Sequence, residues 1–135
     1  MKQIGALLCV LLLAACSAPV MRDAQLHKYA PRKAERDLSS GIHAYEDGDY
    51  SKSARFLRSA LSGGLLLTYD RVAAYKYLGF IYCSRSQEKA CRNVFRKALE
   101  LDPKLELTPA EAGHPMWAPT FYSVKSQLAE RAARG

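Results

Sequence analysis

Four cysteines, three histidines and a scatter of carboxylates are the side chains of this chain that could do chemistry. His27, His43 and His114 are far apart. None has a second histidine or cysteine at i+3 or i+4, the spacing that sets two metal ligands on one helix face. No metal site is expected. The carboxylates are plentiful, but none falls on an apolar stripe, so no buried pair suggests acid–base work. There is no phosphate-binding loop, no G-x-S-x-G elbow and no H-E-x-x-H helix. An enzyme is the weakest class. Among the cysteines, Cys9 lies inside an apolar run and Cys16 ends it, while Cys83 and Cys91 stand much later as a pair. In an oxidising compartment such a pair reads as a disulfide; two buried thiols in a helical core are the alternative.

The apolar run covers roughly Ile4 to Leu13 after Lys2. A bilayer-spanning helix needs about 20 apolar residues, so the run is too short and reads as a secretory signal. Leu13-Ala14-Ala15-Cys16 resembles the lipobox of bacterial lipoproteins. The resemblance implies cleavage before Cys16 and acylation of its thiol; two or more acyl chains anchor stably where one does not. Ser17 is not the aspartate that retains such lipoproteins in the inner membrane, which implies the outer membrane and its periplasmic face. Residues 1–15 are thus expected to be signal, 16–31 a lipid-anchored tether and 32–135 one domain, large enough for a single core. The lipid on Cys16 would be the sole prosthetic group. The formal charge is +7. Its Lys and Arg alternate with acids at helical spacing around Arg32, Lys33, Glu35, Arg36 and Asp37, which reads as a solvated face. Nucleic acid is not an expected partner.

The elements that must position these groups come from an internal repeat. Aligning Gly41–Leu61 with Gly79–Pro103 places Ser53 on Cys91, Leu57 on Phe95, Ala60 on Ala98 and Leu61 on Leu99. Tyr75, Leu78 and Tyr82 surround the second glycine, and Asp102-Pro103 closes the copy. The pattern resembles the tetratricopeptide repeat, and Gly48-Asp49-Tyr50 is that family's usual turn wording. The implied fold is all-α: two tetratricopeptide-like helical hairpins plus a C-terminal capping helix, an α-solenoid. Gly41 and Gly79 would face Ser53 and Cys91, letting the helices of each hairpin approach. Cys83 would end one helix and Cys91 begin the next. Side chains that tilt toward helix N-termini would then turn together, leaving a bridge open. Gly63-Gly64 ends a helix, and Leu65-Leu66-Leu67 is expected to fold under the loop.

Thr108-Pro109-Ala110-Glu111 is a capping box with proline at the first helical position. Gly113 stops that turn. Phe121, Val124, Leu128 and Ala132 then recur at helical spacing, predicting a final helix that starts between Pro115 and Pro119 and covers the last repeat. Trp117, the only tryptophan, reads as a core plug over Phe95, Leu99 and Leu101, with His114 holding the turn. The other reading is a hot spot for a partner.

In tetratricopeptide proteins the first helix of each repeat lines a groove. By position the resemblance implies Leu38, Ile42, Tyr45 and Glu46 from the first copy and Lys76, Phe80 and Cys83 from the second. Leu38 and Ile42 stand where the lysine and asparagine of a carboxylate clamp would be, so capture of a peptide terminus is not implied. The segment Ala98–Lys125 is similar to that of small tetratricopeptide lipoproteins associated with type VI secretion, the TssQ family. This implies a non-catalytic outer-membrane lipoprotein that scaffolds or assists an envelope-spanning secretion system. Its partners would be proteins of the cell envelope, with no small-molecule substrate. The alternative is a structural lipoprotein that docks on peptidoglycan or assists pilus or outer-membrane protein assembly.

Overall fold

The computed structural model describes residues Pro31–Gly135. The signal 1–15, Cys16 and the tether up to Ala30 lie outside the described residues. Six helices and no strand are found among the described residues: α1 (Lys33–Glu46), α2 (Tyr50–Ser62), α3 (Thr68–Ser84), α4 (Glu88–Leu101), α5 (Pro109–Ala112) and α6 (Ala118–Arg134). The domain is all-α. Helix α1 packs along α2 and α3 along α4, each pair joined by a short turn; α2 leans on α3, and α6 lies on α4. No described helix is long and apolar enough to cross a membrane.

Each helix follows from its apolar spacing. In α1 the buried residues are Ala34, Asp37, Leu38, Gly41 and Ala44, a one-sided stripe at i, i+3, i+4 and i+7. In α4 they are Cys91, Val94, Phe95, Ala98 and Leu99. Helix α3 buries Val72, Ala74, Leu78, Gly79, Phe80, Ile81 and Cys83 around most of its circumference, because it has helices on several sides. One core cluster, rich in alanine and leucine, joins α1, α2 and α3 around Leu57 and Leu78. A second, aromatic cluster joins α3, α4 and α6 around Phe80, Phe95 and Phe121. Tyr45, Tyr77 and Tyr82 pack against both.

The two glycines do allow close helix approach, but against larger neighbours than expected. A Cβ on Gly41 would lie 2.8 Å from the Leu57 side chain, and one on Gly79 would lie 2.3 Å from Phe95. Real Cβ atoms essentially never come that close, so both positions require glycine or a shifted neighbour. Ser53 touches Gly41 differently: its hydroxyl donates to the Gly41 carbonyl at 2.7 Å in the buried interface.

Three other expectations change. Only Leu65 of the leucine triplet folds under the loop; Leu66 is 70% exposed and Leu67 50%. Gly64, at φ +79°, turns the chain after α2, and the bend at Leu66 and Leu67 carries their side chains outward before α3 begins. Asp37 is a buried acid on the α1 stripe, where Lys33 and the Ser59 hydroxyl bond its carboxylate. Those two hydrogen bonds hold its pKa below the usual aspartate value. Finally, Ala132 is exposed and Leu128 only half-buried, so the last turns of α6 border an open crevice with Leu99 and Pro103.

Candidate interaction site

The face shared by α1 and α3 is built on aromatic rings. Tyr45 ends α1, while Tyr77 and Phe80 lie one turn apart on α3. The Tyr45 ring is 5.0 Å from Tyr77 and 6.1 Å from Phe80, and Tyr77 is 5.9 Å from Phe80. Edge-on and tilted pairs at these distances match the ring quadrupoles and add to the burial energy. Burial is the main cause that pushes the Tyr45 hydroxyl up to about 12, helped by Tyr50, Tyr77 and the Glu111 charge. Burial and the charges of Glu111 and Glu46 likewise raise Tyr77. Both hydroxyls are therefore neutral donors at any physiological pH.

The segment after α4 returns to cover this face. The capping box of α5 forms as the sequence predicts: Glu111 N–H donates to Thr108 Oγ1 at 3.3 Å, and Thr108 N–H to Glu111 Oε2 at 2.9 Å. The other carboxylate oxygen, Oε1, accepts from Lys76 Nζ at 2.7 Å, with both side chains less than one-fifth exposed. The Lys76 ammonium also lies 5.6 Å from the Tyr77 ring centre and 5.7 Å from that of Phe80. For Glu111, burial works against the charged form. The Lys76 hydrogen bond, the Thr108 N–H and the Lys76 charge outweigh it and leave the carboxyl below its ordinary value.

Trp117 follows, 8% exposed, with its ring 4.6 Å from Phe80. Its Nε1 donates to the Glu111 carbonyl at 3.0 Å, so the one polar atom of the indole is satisfied. The His114 ring stacks on it with centres 3.4 Å apart and planes 2° apart, and His114 Nδ1 accepts from the Met116 N–H. Trp117 is a core plug, and the ring it covers is Phe80 rather than the expected end of the second copy; Phe121 meets Phe95 instead, at 5.4 Å.

The groove residues named from the sequence therefore separate. Leu38 at 6% exposure, Phe80 at 1% and Cys83 at 7% are core, so these three cannot offer side chains to a partner. Lys76 is taken by Glu111. Glu46 is exposed and lies 3.4 Å from His43, while Ile42 and Tyr45 are half-buried. On α3, Lys76 and Phe80 are met by Glu111 and Trp117 of the chain's own later segment. Tyr77, and the bond of Glu111 to Lys76 beyond its capping box, are not read from the sequence. An i+3 step from Tyr77 to Phe80 was the available signal for the first; nothing local announces the second.

Cys83 and Cys91 stand at disulfide distance, with sulfurs 1.98 Å and Cα atoms 5.2 Å apart. The pair joins the end of α3 to the first turn of α4. Among the described residues no group of three or more His, Cys, Asp or Glu side chains could hold a metal ion. Comparison with family models, curated proteins and solved structures finds no match for this chain.

Proposed function

We propose that the chain is a tetratricopeptide-like lipoprotein of the outer membrane, resembling the TssQ family, that acts as a non-catalytic scaffold or accessory of a type VI secretion system. The observation that carries the solenoid reading is the equivalence of the two hairpins. Gly41 packs on Leu57 and Gly79 on Phe95, and those glycines and their neighbours are offset by the same interval. An unrelated pair of hairpins has no reason to repeat a close-contact device in register. The self-covered end of the second hairpin also suits a terminal cap, which repeat domains need because their last unit otherwise exposes an apolar face. The lipobox ending at Cys16 supports attachment to a membrane, and the absence of aspartate at Ser17 favours the outer one.

The experiment is metabolic palmitate labelling followed by membrane fractionation and crosslinking. The chain should label, fractionate with outer membranes and crosslink to secretion-system subunits. Cys16→Ala should lose the label and remain unprocessed. Normal labelling of Cys16→Ala, or crosslinks confined to pilus or outer-membrane assembly proteins, would overturn the reading.

A further inference from the structure

With the α1–α3 face filled by Trp117 and Glu111, the open surface is on the other side of α3. There α2 and α4 flank a groove of about 490 Å3 whose floor is Tyr75, Leu78 and Tyr82 of α3. Arg58 stands on the α2 wall, and Asn93 and Lys97 on the α4 wall. The groove continues past Tyr82 toward Arg92 and Arg96 at one end, and past Tyr75 toward Arg71 at the other. Glu88 and Glu100 are the acids along these ends.

The cations here are not spent on internal pairs. Among the described residues, Arg58, Arg71, Arg96 and Lys97 have no carboxylate within 4.0 Å. Arg58 reaches only the Tyr82 hydroxyl, at 3.3 Å, and Lys97 only rests 5.6 Å from the Tyr75 ring centre. The cations stand on both walls, Arg58 on α2 and Lys97 on α4, so one extended chain lying between them meets both. A nucleic-acid strand would need free ring faces to stack on, and Lys97 lies over that of Tyr75. Leu61, half-buried beside the cations, offers an apolar footing.

We infer that this groove binds an extended acidic segment of a partner protein, its carboxylates meeting Arg58 and Lys97 and an apolar side chain settling between them. The inference draws on the scaffold reading only for the source of that segment, and peptide binding stays measurable whether or not Cys16 is acylated.

The test is fluorescence anisotropy of the full chain in non-ionic detergent. The probe is a labelled octapeptide alternating glutamate with leucine. Binding should weaken as salt rises and should drop by about ten-fold or more when Arg58→Glu and Lys97→Glu are combined. Helicity by circular dichroism verifies the fold of that protein; if it is lost, Arg58→Gln with Lys97→Gln removes the charges without reversing them and should show the same loss in smaller measure. The inference is overturned if a folded double variant binds as tightly as the parent. Equal binding of a glutamine-for-glutamate peptide overturns it too. So does a preference for anionic vesicles or single-stranded DNA over the acidic peptide.

Discussion

In the first hairpin Gly48 takes the left-handed conformation at φ +78°, and the Asp49 side chain accepts from the Lys52 N–H to cap α2. At the equivalent place in the second hairpin Ser86 takes it at φ 57°, and Gln87 gives α4 no side-chain cap. The first turn is thus encoded locally, by the residue that adopts positive φ freely and by a good N-cap. The second lacks both and is held from outside. Cys83 and Cys91 join its helices beside the turn, and α5 and α6 pack over its aromatic core. Their counterparts in the first hairpin are Tyr45 and Ser53, which make an aromatic contact and a hydrogen bond to Gly41 instead. One packing scheme therefore tolerates poor turn chemistry where tertiary or covalent constraints replace it.

If the second hairpin depends on its cover, removing the cover has the largest effect. Trp117→Ala should destabilise by about 3–5 kcal/mol, the usual range for a buried tryptophan. Thermal unfolding followed by circular dichroism measures it; a near-normal melting curve would mean that Phe80 needs no cover. Next comes the covalent link. Cys83→Ser with Cys91→Ser should cost about 2–3 kcal/mol by the loop-entropy model for so short a loop. The mass of alkylated, unreduced protein counts the free thiols directly, and two free thiols at these positions would remove the covalent half of the comparison.

Both hairpins are legible because the glycines Gly41 and Gly79 and the apolar stripes recur at one offset, and periodicity survives without knowledge of the surroundings. The α5 capping box was legible for a similar reason: Thr108 and Glu111 are three residues apart and settle their bonds locally. The same Glu111 shows where local reading stops. One carboxylate oxygen closes the box and the other binds Lys76, 35 residues away. Only the path of the chain between Leu101 and Pro109 brings them together. Leu38 and Phe80 were assigned to a groove by analogy of position, but burial depends on what covers a face. Leu66 and Leu67 failed the other way, since an apolar triplet does not say which of its members faces in.

The close contacts allow a finer comparison. Gly79→Ala should destabilise by about 1–3 kcal/mol, because its Cβ meets the fully buried Phe95 ring and overpacking is not relieved. Gly41→Ala meets the equally buried Leu57, but at 2.8 Å rather than 2.3 Å; alanine's helix propensity offsets about 1 kcal/mol at both sites, so the looser contact should give the smaller loss. Denaturant melts of the two variants rank them, and the reverse order would show the first interface to be the stiffer.

The Lys76–Glu111 contact is read through pH. Because the native carboxyl lies below its ordinary 4.5, ionised Glu111 stabilises the fold above that value. The gain fades as pH falls below 4.5 through the native value. Lys76→Met should lower the melting temperature at neutral pH, and its deficit against the parent should narrow from about pH 5 to pH 3. A deficit that stays constant over that range would mean that Lys76 acts through packing on Tyr77 and Phe80 alone.

The smallest effect tests the turns themselves. A residue with a Cβ in the left-handed region costs roughly 1–2 kcal/mol relative to right-handed backbone. Ser86 carries that cost, and its hydroxyl makes no hydrogen bond to another described residue. Glycine removes the strain but loses more freedom on folding, a difference of about 0.5–1 kcal/mol. Ser86→Gly should therefore stabilise by only about 0.5 kcal/mol, the remainder of the two terms. Gly48→Ser is the mirror substitution and should destabilise by a similar amount, with open space around its new side chain. Chemical denaturation of the oxidised protein resolves the signs. If Ser86→Gly instead weakens the fold, the second turn gains from its serine side chain, and the contrast between a locally encoded turn and a clamped one fails at this position.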